Sequence, residues 1–237
     1  MKPKIYSPPF ILALESATEI ASVALFSAGE LMGHMEYHVP RTHAKLLLPM
    51  IQTLLKDLGV SLDQLDALAV SKGPGSYTGL RVGVSTMKGL ALAQNLPLLS
   101  FDSLTAIAYQ VEDLARQLEA WICPMIDARR MEVYMALFNS EMEVQEEIQA
   151  KIIEKDSFAE LLAKQRVLFV GNAVEKCLSI LKAFPQAIYL PTTISSSRAL
   201  GTFLHRKFER IEFEDLVTFE PFYLKDFVAT KPKKLLG

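Results

Sequence analysis

The chain has 237 residues, half of them hydrophobic and 22% charged, so it exceeds the usual single-domain size of roughly 100–150 residues and is too apolar to be disordered. Its 25 basic and 27 acidic residues leave a formal net charge of −2, which provides no broad positive field and disfavours autonomous, tight nucleic-acid binding. The run free of Asp, Glu, Lys and Arg at residues 89–101 is interrupted by Pro97 and, like the more polar one at 183–197, falls short of the roughly 18 residues of a membrane span; with no adequate signal core either, a cytoplasmic protein is expected.

In chain order, residues 10–15, 21–27 and 31–37 read as three short strands of a meander. A helical period follows over 44–58, then a strand at 67–71, a helix from about 80 to 94 and a strand at 98–101. The second half gives strands at 121–126, 132–139 and 143–153, a helix at 157–164 and a strand at 167–170. A helix at 173–183, a strand near 188–190 and a helix at 195–207 complete it. The α/β order βββαβαβ therefore occurs twice, completed to βββαβαβα by a closing helix in the second half, in domains expected at 1–104 and 105–209, with the tail 210–237 returning to the first. Cys123 and Cys177 sit in apolar settings without a Cys-x-x-Cys, the pattern of buried free thiols.

In each half the first strand ends in a carboxylate before a short polar turn, Glu15-Ser16-Ala17-Thr18 and Asp127-Ala128-Arg129-Arg130. A duplicated unit of this kind resembles the actin-like superfamily of sugar kinases and Hsp70 ATPases. The resemblance implies a cleft in which a nucleotide's phosphates lie between the two turns. The first turn departs from that pattern, with Glu15 where Asp is more usual and Ser16 and Ala17 in place of glycine. The adenosine-side turn, Val170-Gly171-Asn172-Ala173, offers one glycine where a pair is wanted.

Residues 71–83, Ser-Lys-Gly-Pro-Gly-Ser-Tyr-Thr-Gly-Leu-Arg-Val-Gly, follow a strand and open a helix, the context in which free N–H groups and the helix dipole favour an anion. Leu80-Arg81 stands where a phosphate loop requires Lys-Ser/Thr, and Gly73, Gly75 and Gly79 have the wrong spacing for a dinucleotide fingerprint. Two readings stay open. Ser16, Thr18, Gly75, Thr78, Gly79 and Arg81 could form an anion site or a nucleotide site at an interface. Alternatively the glycines serve a sharp turn and close helix approach, with Thr78 as the helix cap.

This string, together with residues 11–18 (Ile-Leu-Ala-Leu-Glu-Ser-Ala-Thr) and Ser22-Val23-Ala24-Leu25, resembles the bacterial TsaB (YeaZ) family. Arg41-Thr42-His43, residues 126–134 (Ile-Asp-Ala-Arg-Arg-Met-Glu-Val-Tyr) and Pro221-Phe222-Tyr223-Leu224 fit it too, so the likeness runs nearly the whole length. What it implies is a non-catalytic accessory subunit, required for threonylcarbamoyl modification of the adenosine beside the anticodon in tRNAs that read A-starting codons. Such a subunit would bind the catalytic relative TsaD and the ATPase TsaE, form a homodimer when alone and touch tRNA indirectly. The resemblance implies no cofactor in the isolated chain, though a nucleotide could be shared at a partner interface. In the catalytic relative, a His-x-x-x-His pair at the start of the helix after the fifth strand holds a metal. Here residues 100–107, Ser-Phe-Asp-Ser-Leu-Thr-Ala-Ile, contain no histidine, and Asp102 alone cannot hold one. The competing functions are a metal-dependent, glycoprotease-like peptidase and an actin-like small-molecule kinase.

His34 and His38 have i, i+4 spacing, but on an extended strand they stand roughly 13 Å apart, too far to share an ion. His43 precedes a helix and suits a cap or an interface, and Asp127 beside Arg129 and Arg130 suggests an ion pair at a turn. Lys231, Lys233 and Lys234 read as a solvated basic tail. In the helix at 44–58, apolar side chains cover roughly 200°, against little more than 100° for a helix facing one core. Leu47, Leu48, Ile51, Leu55 and Leu58 are expected on the core side, leaving Leu46, Met50 and Leu54 as a partner-binding stripe. In the following helix, Val82, Thr86, Gly89 and Ala93 make a narrow face of small residues suited to close helix packing by a partner.

Overall fold

The computed structural model describes residues 8–39 and 43–224; the basic tail, Arg41 and Thr42 lie outside the described residues. The first half is built from β1 (Phe10–Glu15), β2 (Ala21–Ser27), β3 (Glu30–Tyr37), α1 (His43–Asp57), β4 (Ala67–Gly73), α2 (Tyr77–Gln94) and β5 (Leu98–Asp102). Its sheet has the order β3-β2-β1-β4-β5, with β1 antiparallel to β2 and parallel to β4. The strand β1 lies in the middle, which is why it reads as a near-continuous apolar run instead of an alternating one. Its pleat sends Leu12 and Leu14 to one face, against α1 and α2, and Ile11 and Ala13 to the other.

After α3 (Ser103–Ala108) and α4 (Glu112–Leu118), the second half supplies β6 (Trp121–Asp127), β7 (Glu132–Phe138), β8 (Val144–Ile152), α5 (Ala159–Lys164), β9 (Val167–Val170), α6 (Val174–Leu181) and β10 (Ala187–Leu190). The sheet order β10-β9-β6-β7-β8 is that of the first half read from the other edge, so the topology is duplicated strand for strand. This is the actin-like α/β fold. Among the described residues no helix is long and apolar enough to cross a membrane.

Two features differ from the sequence reading. The helices α3 and α4 appear where the periodicity marked no element, although the resemblance placed a helix after the fifth strand. All six residues of α3 are buried: Leu104 and Ile107 pack on the second sheet and Ala106 on the first, so no amphipathic stripe marks it. The second difference is the destination of residues 195–209, grouped by sequence with the second domain. A 3₁₀ turn at Ser197–Ala199 and α7 (Gly201–Glu209) instead cover the open face of the first sheet, where Leu200 and Leu204 meet Ile11, Phe26 and Phe101. A Cβ at Gly201 would overlap the Gly29 carbonyl, which is how close α7 comes to the β2–β3 turn.

Residues 211–224 then run as a strap along the same half. The Glu214 N–H donates to the Leu98 carbonyl (2.8 Å), Lys88 Nζ to the Phe219 carbonyl (2.8 Å) and the Phe222 N–H to the Lys72 carbonyl (2.7 Å). The Tyr223 ring stacks on Tyr77 at 4.9 Å.

Candidate functional site

The residues proposed for an anion divide into two groups in space. Ser16, Gly75 and Gly79 meet directly. A Cβ at Gly75 would overlap the Ala17 carbonyl, one at Gly79 the Ser16 carbonyl, and one at Gly83 the Ser16 hydroxyl. The Ser76 N–H donates to the Ala17 carbonyl (2.6 Å) and Ser16 Oγ to the Gly79 carbonyl (3.0 Å). The space an anion would need is filled by the first turn itself, and the glycines serve close approach. The cap of α2 is Ser76, whose Oγ accepts from the Gly79 N–H (3.3 Å), and not Thr78, which is exposed on the first turn. Arg81 points away from the turn: its guanidinium lies 4.0 Å over the Tyr77 ring and its Nε donates to Tyr223 Oη (3.2 Å). Thr18 is separate again, its Oγ1 accepting from the Ile20 N–H (3.3 Å).

Glu15 is fully buried at the end of β1. One oxygen accepts from the Ala17 N–H (2.6 Å) and the other from Ser195 Oγ (2.7 Å). Burial pushes this carboxyl above the ordinary range, against the opposing pull of its hydrogen bonds from Ala17, Ser195 and Ser71. Ser195 Oγ also contacts the Ser103 carbonyl (3.2 Å), and the Ser103 and Ser71 hydroxyls are paired at 2.7 Å. Ser71 opens the glycine-rich string and Ser103 lies in the 100–107 stretch, but neither was singled out as a site residue, and no motif marked Ser195. Their common location depends on the return of the chain after β10.

The second turn is held by a lysine. Lys176 Nζ reaches Asp127 Oδ1 (2.6 Å) and the carbonyls of Arg130 (2.8 Å) and Glu132 (2.7 Å), using all three donors. Asp127 Oδ1 also accepts from the Arg129 N–H (2.7 Å). The expected ion pair exists, but with a lysine from α6, because Arg129 and Arg130 adopt left-handed φ of 74° and 50° and are both exposed. Asn172 Oδ1 accepts from the Asp127 N–H (3.0 Å), and Gly171, at φ 112°, lies against the Met125 carbonyl.

Between the two turns is a cleft of about 270 Å³. Thr18, Glu19, His38, Asn172 and Ser195 give it a polar rim, and Ile20, Ile107, Ile126 and Ile194 its walls. Among the described residues neither Lys nor Arg lines it, so none of them offers a polyphosphate a counter-charge there. At the end of β5, Asp102 pairs with Lys72 at 3.5 Å; burial raises its carboxyl, opposed by the charge and hydrogen bond of Lys72. Among the described residues no group of three His, Cys, Asp or Glu side chains could hold a metal.

The helix faces expected to bind a partner are partly core. Met50 and Leu54 are buried with Leu47, Ile51 and Leu55, whereas Leu48, expected inside, is 49% exposed. The helix α1 lies against both the sheet and α2, so its buried arc is centred on Leu47, Met50, Ile51 and Leu54 and the expected stripe is used up within the monomer. Leu46 is half-buried. On α2, Val82 and Thr86 are half-buried, while Gly89 and Ala93 are exposed beside Leu92, and no atom lies within 4 Å of a Cβ built at Gly89.

A family model described as TsaD, tRNA N6-adenosine threonylcarbamoyltransferase, matches residues 36–236. The chain is 30% identical over 165 residues to the "tRNA threonylcarbamoyladenosine biosynthesis protein TsaB" of Bacillus subtilis (strain 168), an alignment covering 68% of this chain and 70% of that one. The chain belongs to the TsaB (YeaZ) family. The proteins of the same description from Haemophilus influenzae and Escherichia coli K12 are 39% and 42% identical, and the chain spans 62% and 53% of their lengths. A solved structure titled "YeaZ from Pseudomonas aeruginosa" superposes over 91% of this chain and all of that one, with a TM-score of 0.75 at 27% identity.

Proposed function

We propose that the chain acts in tRNA threonylcarbamoyladenosine biosynthesis as a non-catalytic subunit that binds and organises the catalytic protein TsaD, in company with the ATPase TsaE. The observation that carries this reading is the glycine ridge of α2. Its inner side, Gly79 and Gly83, together with Gly75 in the loop before it, is packed against Ser16 and Ala17, where an actin-like enzyme would keep room for phosphate. Its outer side, Gly89 and Ala93, is bare and narrow enough for a second helix to approach closely. The absence of histidine from 100–107 supports the same reading, as does a cleft that no Lys or Arg lines among the described residues.

In this reading the partner surface comprises Leu46, Val82, Thr86, Gly89 and Ala93, extended by Leu48 and Leu92, with Met50 and Leu54 shaping it from beneath. The same surface would pair two copies in the absence of the partner, so homodimer and heterodimer compete. Reconstitution of the tRNA modification with TsaD and TsaE, with and without this chain, tests the proposal. Modification should depend on the chain, and the chain alone should turn over nothing under any metal supplement. Equal modification without it would overturn the reading.

A further inference from the structure

Among the described residues the chain passes between its two sheets twice: once from β5 into α3, through residues 102–110, and once from β10 to the 3₁₀ turn, through residues 190–197. Any rotation of one half against the other must be absorbed by backbone changes in these two crossings. Both are tied to the same buried spot on the first sheet. Ser195, on the second crossing, donates to Glu15 (2.7 Å) and lies 3.2 Å from the carbonyl of Ser103, on the first. The Ser103 hydroxyl is in turn paired with Ser71 at the end of β4 (2.7 Å). A second tie joins the crossings directly: Gln110 Nε2 donates to the carbonyls of Ala106 (2.9 Å) and Ile194 (2.7 Å).

We infer that Glu15 is the pin of a lock that holds both interdomain crossings, so that the cleft keeps one opening whether or not a nucleotide is present. Opening would pull Ser195 from a carboxyl group that water does not reach, leaving buried polar groups without partners, and the fold resists that strongly. No cation appears among the causes that act on Glu15, and its contacts are with an N–H and hydroxyls. A neutral side chain of the same shape can therefore do the same work. A carboxylate after the first strand is thus used to fix the angle between the halves. The inference concerns the isolated chain, so it stands or falls apart from the accessory role proposed above.

The test uses two spin labels on exposed positions, Gln52→Cys in α1 and Gln145→Cys in β8, since both native thiols are buried. The native chain should give one narrow distance distribution, unchanged by ATP and magnesium. Ser195→Ala, which removes a single hydroxyl and is expected to fold, should broaden it and raise amide exchange of residues 194–197 about tenfold. Glu15→Ala should broaden it further, and Glu15→Gln should restore the narrow distribution. A distribution that shifts on addition of nucleotide, or stays equally narrow in Ser195→Ala and Glu15→Ala, overturns the lock. A distribution as broad in Glu15→Gln as in Glu15→Ala overturns the neutral pin.

Discussion

The turns after β1 and β6 occupy the same place in a duplicated topology and are built in opposite ways. The first is sealed: Glu15 is buried with an N–H and hydroxyls as partners, and the following Ser16 and Ala17 pack against Gly75 in the loop before α2 and against Gly79 and Gly83 of α2. The second is open: the Asp127 side chain is 47% exposed, and a single ammonium holds the loop through one carboxylate and two carbonyls. Duplication preserved the path of the chain and left the chemistry of each turn free to diverge. The first turn became part of the core, and the second stayed a surface loop fastened by a removable ion pair.

The largest effect separating the two turns should come from Gly79→Val. Its branched side chain meets the Ser16 carbonyl backbone, which cannot move aside as a flexible side chain could, so a loss of about 3–5 kcal/mol or failure to fold is expected in urea unfolding. An unfolding midpoint near that of the native chain would show that the first turn is not sealed. At the second turn, Lys176→Met removes one donor each from Asp127 and from the Arg130 and Glu132 carbonyls, while Asp127 keeps the Arg129 N–H and Glu132 the Ala128 N–H. Part of the loss is made good by water at this half-open site, so about 1–3 kcal/mol is expected, with faster amide exchange confined to residues 127–132.

A third contrast is in pH dependence. Because burial raises the Glu15 carboxyl, the folded chain holds a proton that the unfolded chain releases once pH exceeds the ordinary value of 4.5. Stability is therefore lost as pH rises from there through the raised folded value. Glu15→Gln cannot lose a proton and should remove this component, so the variant gains on the native chain as pH rises from 4.5 through the raised folded value. Parallel stability curves for the two proteins would mean that Glu15 titrates normally. The smallest effect on stability belongs to Gly89→Leu, within about 0.5 kcal/mol or slightly stabilising, because among the described residues a Cβ built there meets nothing within 4 Å beyond its own helix and glycine is a poor helix former. Its expected consequence is loss of TsaD in a pull-down with an unchanged melting temperature. Retained binding would remove the α2 ridge from the proposed partner surface.

The same contrast explains what could be read from the sequence. Strands such as β1, β4 and β9 announce themselves because a central, twice-buried strand is an unbroken apolar run, and the repeated order of elements followed from them. The helix α3 did not, since burial on every side removes the polar stripe that marks a helix, and it is too short to compensate by length. Amphipathicity gave the width of the apolar arc on α1 but not its centre, which is set by the presence of α2 beside it; Met50 and Leu54 were misplaced for that reason. At the sites, adjacency in sequence was misleading. Asp127 pairs with Lys176 from α6 instead of its neighbouring arginines, and Glu15 meets Ser195 only through the chain's return to the first sheet.

That return has a further consequence at the ribosome. One face of the first sheet is closed by Leu200 and Leu204, and its fifth strand and the loop before α2 are strapped by residues 211–224. All of these emerge after the entire second sheet has been made. At a synthesis rate of about 5–20 residues per second, Ile11, Phe26 and Phe101 wait several seconds for their cover. During that interval the second half can fold as a unit while the first, although older, remains open on one side. The usual order of a growing chain, in which the earlier domain is finished first, is reversed here by a single helix.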